Sequence, residues 1–396
     1  MNDLSERLAH QAEGFDRRGG TPLHLDQVLE RAGEIKRGRR LRATLVMAAA
    51  VLAIAVPAAL VAGRSDERPV TPAGHAKADT SPLTLQGLAR GDRPKRGYAT
   101  GSQFQLPRGA IGLPVGKGTV ADVAPLRGGL LVAVRSPDGA LTAHFVDEQG
   151  ATGNPTWPME GGFAVSAGGN VGAFVRPDGT PVAVQDAGSS DYELPAVPRG
   201  SGFTALAVQD EHCEATSEQT ACAVWVSSAG EKPETWVTAT RERASRMVPT
   251  LRSVSDVSHT DLVAGTTKVT DPGSCSAVIA LPAESPAWST CDHRLLTFSP
   301  DSKHLLASAA YADGAGDTGI AILDSTTGQP VLDLRTADGA FIGQLVWEDD
   351  SHVLATVSEG GRWAVVRVGL DGSREYAVAP VTGKDPYESP FVLPSR

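Results

Sequence analysis

The sequence is poor in lysine, asparagine and aromatic residues. Lysine supplies eight of the 36 basic residues, three asparagines occur in 396 positions, and aromatic residues make up 5% of the chain. The net charge is −10, and residues 1–42 hold nine basic and seven acidic side chains, so the acidic excess lies in the rest of the chain. An acidic main domain argues against a nucleic-acid partner, because such a surface needs clustered Lys and Arg.

Familiar catalytic motifs are also missing. The chain has no Gly-x-Ser-x-Gly nucleophile elbow and no HExxH pair. Its nine histidines are dispersed, and we expect His144, His304 and His352 at strand ends or on the surface. Residues 112–119 resemble a phosphate-binding loop, but the spacing is one residue short and glycine follows the lysine. We therefore predict no catalytic residue, no cofactor site and no metal site.

Two further groups of residues have a functional and a structural interpretation. Asp313 and Asp317 carry carboxylates that calcium could bind, yet a loop between strands explains them more simply. Tryptophan rings can stack on sugars, but packing within strands is the interpretation that we favour for Trp225, Trp236, Trp347 and Trp363.

One long hydrophobic run stands out. Residues 43–63, ATLVMAAAVLAIAVPAALVAG, contain no charge. A helix needs about 20 apolar residues to cross a bilayer, and such helices tolerate a proline such as Pro57. The run therefore predicts one transmembrane helix, with the lipid bilayer as its partner.

The charges beside this run predict its orientation. Six Arg and Lys residues lie between 31 and 42, with Glu34 as the single acid among them. By the positive-inside rule, residues 1–42 stay in the cytoplasm and the large domain lies outside. A cleaved signal peptide is the alternative, but its charged N-terminal region would have to be 42 residues long.

The segments on either side of the run differ in composition and in predicted structure. Residues 1–42 predict a short helical tail, because Leu25, Val28 and Leu29 recur at helical spacing after Thr21-Pro22. This tail either lies on the lipid surface or binds a cytoplasmic protein. Residues 64–97 are rich in proline and predict an extended extracytoplasmic linker.

All four cysteines lie in the large domain. They are Cys213, Cys222, Cys275 and Cys291. Four cysteines allow three pairings, and the short separations favour the first with the second and the third with the fourth. Disulfides fit an oxidising exterior, whereas a zinc site would need tighter spacing.

Beyond residue 98 the sequence predicts short β-strands that repeat. Residues 128–150 read GGLLVAVRSPDGALTAHFVDEQG, and residues 168–188 read GGNVGAFVRPDGTPVAVQDAG. In both segments an Asp-Gly turn separates two apolar strands, as in a β-hairpin. Strand groups begin near 119, 162, 203, 252, 296 and 343, which is a period of 41–49 residues.

A period of this length with room for four strands is typical of a β-propeller. We predict an all-β propeller over residues 98–396 with about seven four-stranded blades, or six, preceded by the helical tail and one transmembrane helix. The seventh blade would combine strands from both ends of this domain, because closure removes exposed edges. A pair of β-sandwiches is the alternative, and the period disfavours it.

The fifth repeat carries a family resemblance. Residues 298–303 read FSPDSK and residues 324–328 read DSTTG. They resemble blades of WD-repeat and TolB-like propellers, although Ser302 replaces a glycine and Leu323-Asp324 stands where Trp-Asp is usual. The layout is also similar to that of actinobacterial membrane-anchored propeller proteins, some of which are associated with extracytoplasmic-function sigma factors.

These features predict a non-enzymatic, membrane-anchored propeller that binds a protein or cell-envelope ligand on one rim, with signalling through its tail as a further role. A tethered hydrolase or lactonase with its site at the channel mouth is the first alternative, and its residues would come from separate blades. A sigma-factor-associated regulator is the second alternative.

Overall fold

The chain folds into short β-strands throughout the part that the computed structural model describes. These residues are 81–395, without 154, 186–189, 199–201, 215–221, 231, 271–272, 282–284, 312–315 and 386. Within them no helix is long and apolar enough to cross a bilayer. The predicted helical tail at 1–42 and the predicted helix at 43–63 lie outside the described residues, so the structure lends them no support.

The described strands form six hydrogen-bonded sheets, and the first two lie between residues 98 and 193. The three-stranded sheet contains β2 (Tyr98–Thr100), β3 (Gln103–Leu106) and β4 (Gly109–Gly112). The seven-stranded sheet contains β5 (Thr119–Leu126), β6 (Gly129–Arg135), β7 (Leu141–Asp147), β8 (Trp157–Val165), β9 (Gly172–Val175), β10 (Pro181–Gln185) and β11 (Ser190–Glu193).

Three four-stranded sheets follow along the chain. One contains β12 (Phe203–Gln209), β13 (Ala223–Ser228), β14 (Thr235–Ala239) and β15 (Arg246–Met247). The next contains β16 (Ser253–Val257), β17 (Leu262–Thr270), β18 (Gly273–Ala280) and β19 (Ser285–Thr290). The third contains β20 (His293–Phe298), β21 (His304–Ala309), β22 (Gly319–Asp324) and β23 (Pro330–Arg335).

The last sheet has five strands, because a short strand from before the propeller joins it. It contains β24 (Ala340–Asp349), β25 (His352–Glu359), β26 (Arg362–Gly369) and β27 (Arg374–Thr382), and β1 (Ala89–Arg90) pairs in parallel with β27. Apolar clusters fill the space between consecutive sheets. In one of them Ala264 and Val278 pack with Leu295 and Phe298 of the following sheet.

Five of these sheets have four or more strands, and counted in this way the protein is a five-bladed β-propeller. The predicted seven, or alternatively six, separate four-stranded blades were wrong. The main reason is β8, which pairs with β7 through Trp157–Met159 and with β9 through Ala164 and Val165. Two of the repeated strand groups therefore share one seven-stranded sheet. The three-stranded sheet is smaller than a blade by this count.

The repeated hairpins predicted from residues 128–188 are present and nearly identical. Gly139 and Gly179 have φ angles of 91° and 84°, a region that glycine enters readily. Each donates its N–H to the carbonyl three residues earlier, at 2.9 Å in both turns. The local Asp-Gly signal thus predicted both turns correctly.

Ser302 departs from the glycine of the related motif, and the structure gives a reason. Its φ angle is 57°, so it occupies the left-handed conformation that glycine would adopt there. Its hydroxyl lies 2.7 Å from Nδ1 of His259, on the preceding sheet. This inter-sheet hydrogen bond compensates for the conformational cost of a side chain at that position.

The described part of the predicted linker, residues 81–97, packs against the last sheet, and we call it the N-terminal segment. Leu83 is fully buried among residues of the last two sheets. Glu359 accepts hydrogen bonds from the Thr84 hydroxyl at 3.0 Å and from the Leu85 N–H at 2.5 Å. Arg367 donates to the carbonyl of Asp92 at 3.2 Å. The segment is therefore fastened along its length.

Both disulfides join the pairs that the short separations favoured. Cys213 bonds to Cys222, and Cys275 bonds to Cys291. The first pair is fully buried in an apolar cluster. In the second pair, Cys275 lies in β18 and Cys291 directly follows β19, next to the paired residues Ser276 and Thr290.

Candidate functional site

Strands from all five blades converge on one cavity of about 550 Å³. Its lining includes Phe163, Leu206, Ser253, Arg294 and Gln344, one from each of the five sheets. This convergence marks the central channel of the propeller. A channel of this kind is where side chains from distant parts of a sequence can meet.

The charged groups of the channel are paired within the protein. Arg294 contacts both carboxylate oxygens of Asp317 at 2.9 and 3.0 Å and also donates to the Ser308 hydroxyl. Asp313, the other residue of the suggested calcium loop, lies outside the described residues. Among those described, no group of three or more His, Cys, Asp or Glu side chains is placed to hold a metal ion.

Two aspartates connect successive strand groups in the same way. Asp256 accepts the N–H of Val257 and the N–H of Phe298, each at 2.8 Å. Asp122 accepts the N–H of Val123 and the N–H of Phe163, again each at 2.8 Å. In both cases the acceptor follows a bulge in its own strand, and the second donor lies in another repeat.

Asp122 has a further partner near the end of the chain. The Ser395 hydroxyl donates to it at 2.7 Å. Burial raises the pKa of the Asp122 carboxyl to about 6, and the hydrogen bonds from Phe163, Ser395 and Val123 oppose this rise. The carboxyl therefore titrates within a mildly acidic range, while it holds three donors together.

A smaller cavity of about 290 Å³ lies at the other end of the same strands. It is lined by the ends of β12 and β16 and by the loops after them, including Glu211, His212 and His259. Glu211 accepts from the Ser166 hydroxyl at 2.6 Å and from the Gly168 N–H at 2.5 Å. Its carboxylate therefore secures a turn of the neighbouring sheet, which is a structural role.

A cavity of about 740 Å³ adjoins the channel, and we call it the aromatic cleft. It shares Gly343 and Gln344 with the channel lining. Tyr387 lies on the cleft and is 69% exposed. Its ring stacks on Phe341, with centroids 6.0 Å apart and planes 24° apart.

The stacked pair is supported from behind by a buried tryptophan. Trp363 meets Phe341 edge to face, with centroids 5.3 Å apart and planes at 89°. The Trp363 indole N–H donates to the carbonyl of Asp385 at 3.4 Å. These contacts hold the three rings together as a unit. Tyr387 is the exposed ring of this unit, and it remains available to a ligand in the cleft.

Polar groups surround the aromatic rings. Five of the lining residues have polar side chains, namely Arg135, Glu388, Gln344, Thr100 and Ser102. Arg135 donates to the carbonyl of Gly139 at 3.3 Å. None of the ion pairs found among the described residues involves it. The cleft thus offers hydrogen-bond donors and acceptors beside an apolar plane.

The residues singled out from the sequence lie largely away from this cleft. Trp225, Trp347 and Trp363 are buried on strands, and of these three Trp363 alone reaches the cleft lining. The Nδ1 atoms of His144 and His304 are buried without a hydrogen-bond partner among the described residues. Tyr387 and Phe341 were not predicted from the sequence, because no local pattern joins two residues 46 positions apart.

Comparisons with known proteins find similar solved structures but no related sequence family. No protein-family model and no curated protein matches this chain. Among solved structures, the β-propeller domain of Cps50 (Swd1) from Myceliophteria thermophila is similar, with a TM-score of 0.46, 10% identity and coverage of 67% of this chain and 87% of that chain. The β-propeller domain of the Trilobed protease from Pyrococcus furiosus has a TM-score of 0.46, 12% identity and coverage of 66% and 85%.

A third similar structure is described as YCF48 bound to D1 peptide, with a TM-score of 0.44, 14% identity and coverage of 75% of this chain and 88% of that chain. Scores and identities this low carry no argument about function. The β-propeller assignment rests on the sheet arrangement and on the convergence of five sheets on one channel.

Proposed function

We propose that this chain is a non-enzymatic binding protein that recognises a cell-envelope ligand at the aromatic cleft. The observation that carries the proposal is the exposed ring of Tyr387, which is backed by Phe341 and borders a cavity of about 740 Å³. Pockets that bind ligands combine apolar surface with a few convergent polar groups, and tyrosine is enriched at binding hot spots.

Two features support a location outside the cytoplasm and attachment to a membrane. The chain has two disulfides, and disulfides persist in oxidising compartments. The uncharged run at 43–63 is long enough to insert into a bilayer, and the basic residues before it favour a cytoplasmic N-terminus. We include both the tether and the orientation in the proposal.

Signalling through residues 1–42 is a further part of the proposal. The apolar stripe and basic residues of this segment fit a lipid surface as well as a protein partner. A pull-down from membranes with and without residues 1–42 tests it. Recovery of a cytoplasmic protein with the full-length chain but not with the shortened chain would support signalling. Recovery of lipid without any cytoplasmic protein would contradict it.

The binding site itself can be tested by photo-cross-linking in intact cells. A photoreactive residue placed at Tyr387 should form a covalent adduct with the ligand, because this side chain borders the cleft. The matched control is the same residue at Tyr311, which is 46% exposed and lies outside the cleft lining. We expect at least about tenfold more adduct at position 387. Equal yields at the two positions, or none at 387, would contradict the proposed site.

A further inference from the structure

We infer that the aromatic cleft binds a saccharide ring of an envelope glycan, an inference that rests on the proposed binding function. The first argument is the aromatic platform. Tyr387 is exposed on one side and supported on the other by Phe341, which Trp363 contacts in turn. A ring held in this way loses little conformational freedom when a ligand packs on it. The C–H face of a pyranose is a flat apolar surface that suits such a platform.

The second argument is the mixture of polar groups around the platform. Each sugar hydroxyl is both a donor and an acceptor, so that a sugar site needs both kinds of partner. Arg135 supplies donors, Glu388 supplies acceptors, and the hydroxyls of Thr100, Ser102 and Thr119 can act as either. Ser102, Thr119 and Glu388 are exposed to solvent. The cleft therefore presents to a ligand the pattern of groups that a hydroxylated ring requires.

The third argument distinguishes a glycan from a polypeptide. Extended peptides commonly bind by adding a strand to a free sheet edge. Strand β2 at the cleft wall has no free edge, because β3 pairs with one side and Val392 bridges to Ala99 on the other. Next to the cleft, the carbonyl of Val123 on the edge strand β5 already accepts the N–H of Ser395. Backbone groups of Ala99 and Val123 are therefore already used within the protein, which favours side chains as the partners of the ligand.

Saccharide binding by the purified full-length chain tests the inference. Chitotetraose, cellotetraose and mannotetraose are the probes, and titration calorimetry and saturation-transfer NMR are the measurements. We expect at least one probe to bind and Tyr387→Ala to weaken it at least about tenfold. Tyr387→Phe should retain most of the affinity, because the stacking ring remains. Arg135→Gln should weaken binding several-fold through the loss of hydrogen-bond donors.

Matched controls separate the cleft from general effects on the chain. Tyr311→Ala and Arg108→Gln remove an exposed ring and an exposed guanidinium outside the cleft, and neither should change the affinity. The inference is overturned if no probe binds and the cellular adduct at position 387 is a polypeptide by mass spectrometry. The proposed binding function would then stand. If probes bind but Tyr387→Ala has no effect, the cleft is the wrong site. If neither probe nor adduct is found, both proposals fail.

Discussion

At the scale of single residues, two aspartates do the same work in different repeats. Asp122 and Asp256 each occur in a Val-x-Asp-Val sequence, and each accepts one N–H from its own strand and one from a strand 41 or 42 residues later. The bulge before each aspartate locally disrupts the hydrogen bonding between strands. The carboxylate of the aspartate accepts the N–H of the next residue in the chain. One carboxylate thereby satisfies donors in two strand groups, and a buried donor left unsatisfied costs free energy.

Asp122 makes the free energy of unfolding depend on pH. Its pKa is raised to about 6 in the folded protein, so the folded state binds more protons than the unfolded state between about pH 4 and pH 6. The contribution of this residue to stability should therefore decrease as pH rises through that window, by no more than about 3 kcal/mol. Urea unfolding of wild type and Asp122→Asn at several pH values measures it, since the asparagine does not titrate.

An aspartate with the opposite shift provides the control for this prediction. The hydrogen bond from the Ser136 hydroxyl lowers the pKa of exposed Asp138. Its contribution to stability is present above pH 4 and is lost as pH falls below that value. Asp138→Asn should therefore leave the pH 4–6 profile unchanged. A profile that is identical in wild type and Asp122→Asn would show that Asp122 does not titrate there.

At the scale of elements, the N-terminal segment 81–97 belongs to the propeller's structure. It buries Leu83 and pairs β1 with the outer edge of β27, which would otherwise be an open strand edge. Arg367, which is paired with Glu348 within the last sheet, fixes the far end of the segment by donating to the carbonyls of Asp92 and Arg93. The segment therefore adds a protective strand to the last sheet.

A single substitution tests how firmly this segment is packed. Leu83→Ala should lower the free energy of unfolding by about 2–4 kcal/mol, because a fully buried leucine leaves a cavity. Val331→Ala is the control, since Val331 is 40% exposed and its truncation should change stability by about 0.5 kcal/mol or less. Denaturant unfolding measures both. A loss below about 0.5 kcal/mol for Leu83→Ala would mean that the segment behaves as a free linker in solution.

Turns and hairpins were predictable from the sequence where a few adjacent residues determine the backbone conformation. The Asp-Gly turns at Gly139 and Gly179 follow from a conformation that few other residues adopt. The sharing of β8 between two strand groups was not predictable, because it depends on pairing across long sequence distances. The same limit applies to the cleft, where Tyr387 meets Phe341 only through the fold. The two Val-x-Asp-Val sequences were visible as a repeat and could have indicated the contacts between strand groups.

At the scale of the whole molecule, the last residues of the chain connect sheets from both ends of the propeller. Val392 and Ala99 exchange N–H donors at 2.8 and 2.9 Å. Leu393 donates to the Gln344 side chain at 2.9 Å, and Ser395 donates to the Val123 carbonyl at 2.8 Å. Phe391 packs edge to face on Tyr98. We call residues 391–395 the C-terminal clasp, because they contact the three-stranded, seven-stranded and five-stranded sheets.

Removal of the clasp should open these contacts before it affects distant sheets. A chain that ends at Pro390 loses the burial of Phe391 and Leu393, each worth about 1.5–3 kcal/mol, as well as the hydrogen bonds to Ala99 and Val123. Amide hydrogen exchange should therefore accelerate first in β2 and β5, while β13 and β14, which lie far from the clasp in the strand order, keep their protection. Val331→Ala, which truncates a side chain that is 40% exposed, is the control and should leave exchange in β2 and β5 unchanged. If β2 and β13 lose protection together, the propeller opens as one cooperative unit, and the clasp secures the entire ring rather than its closing sheets.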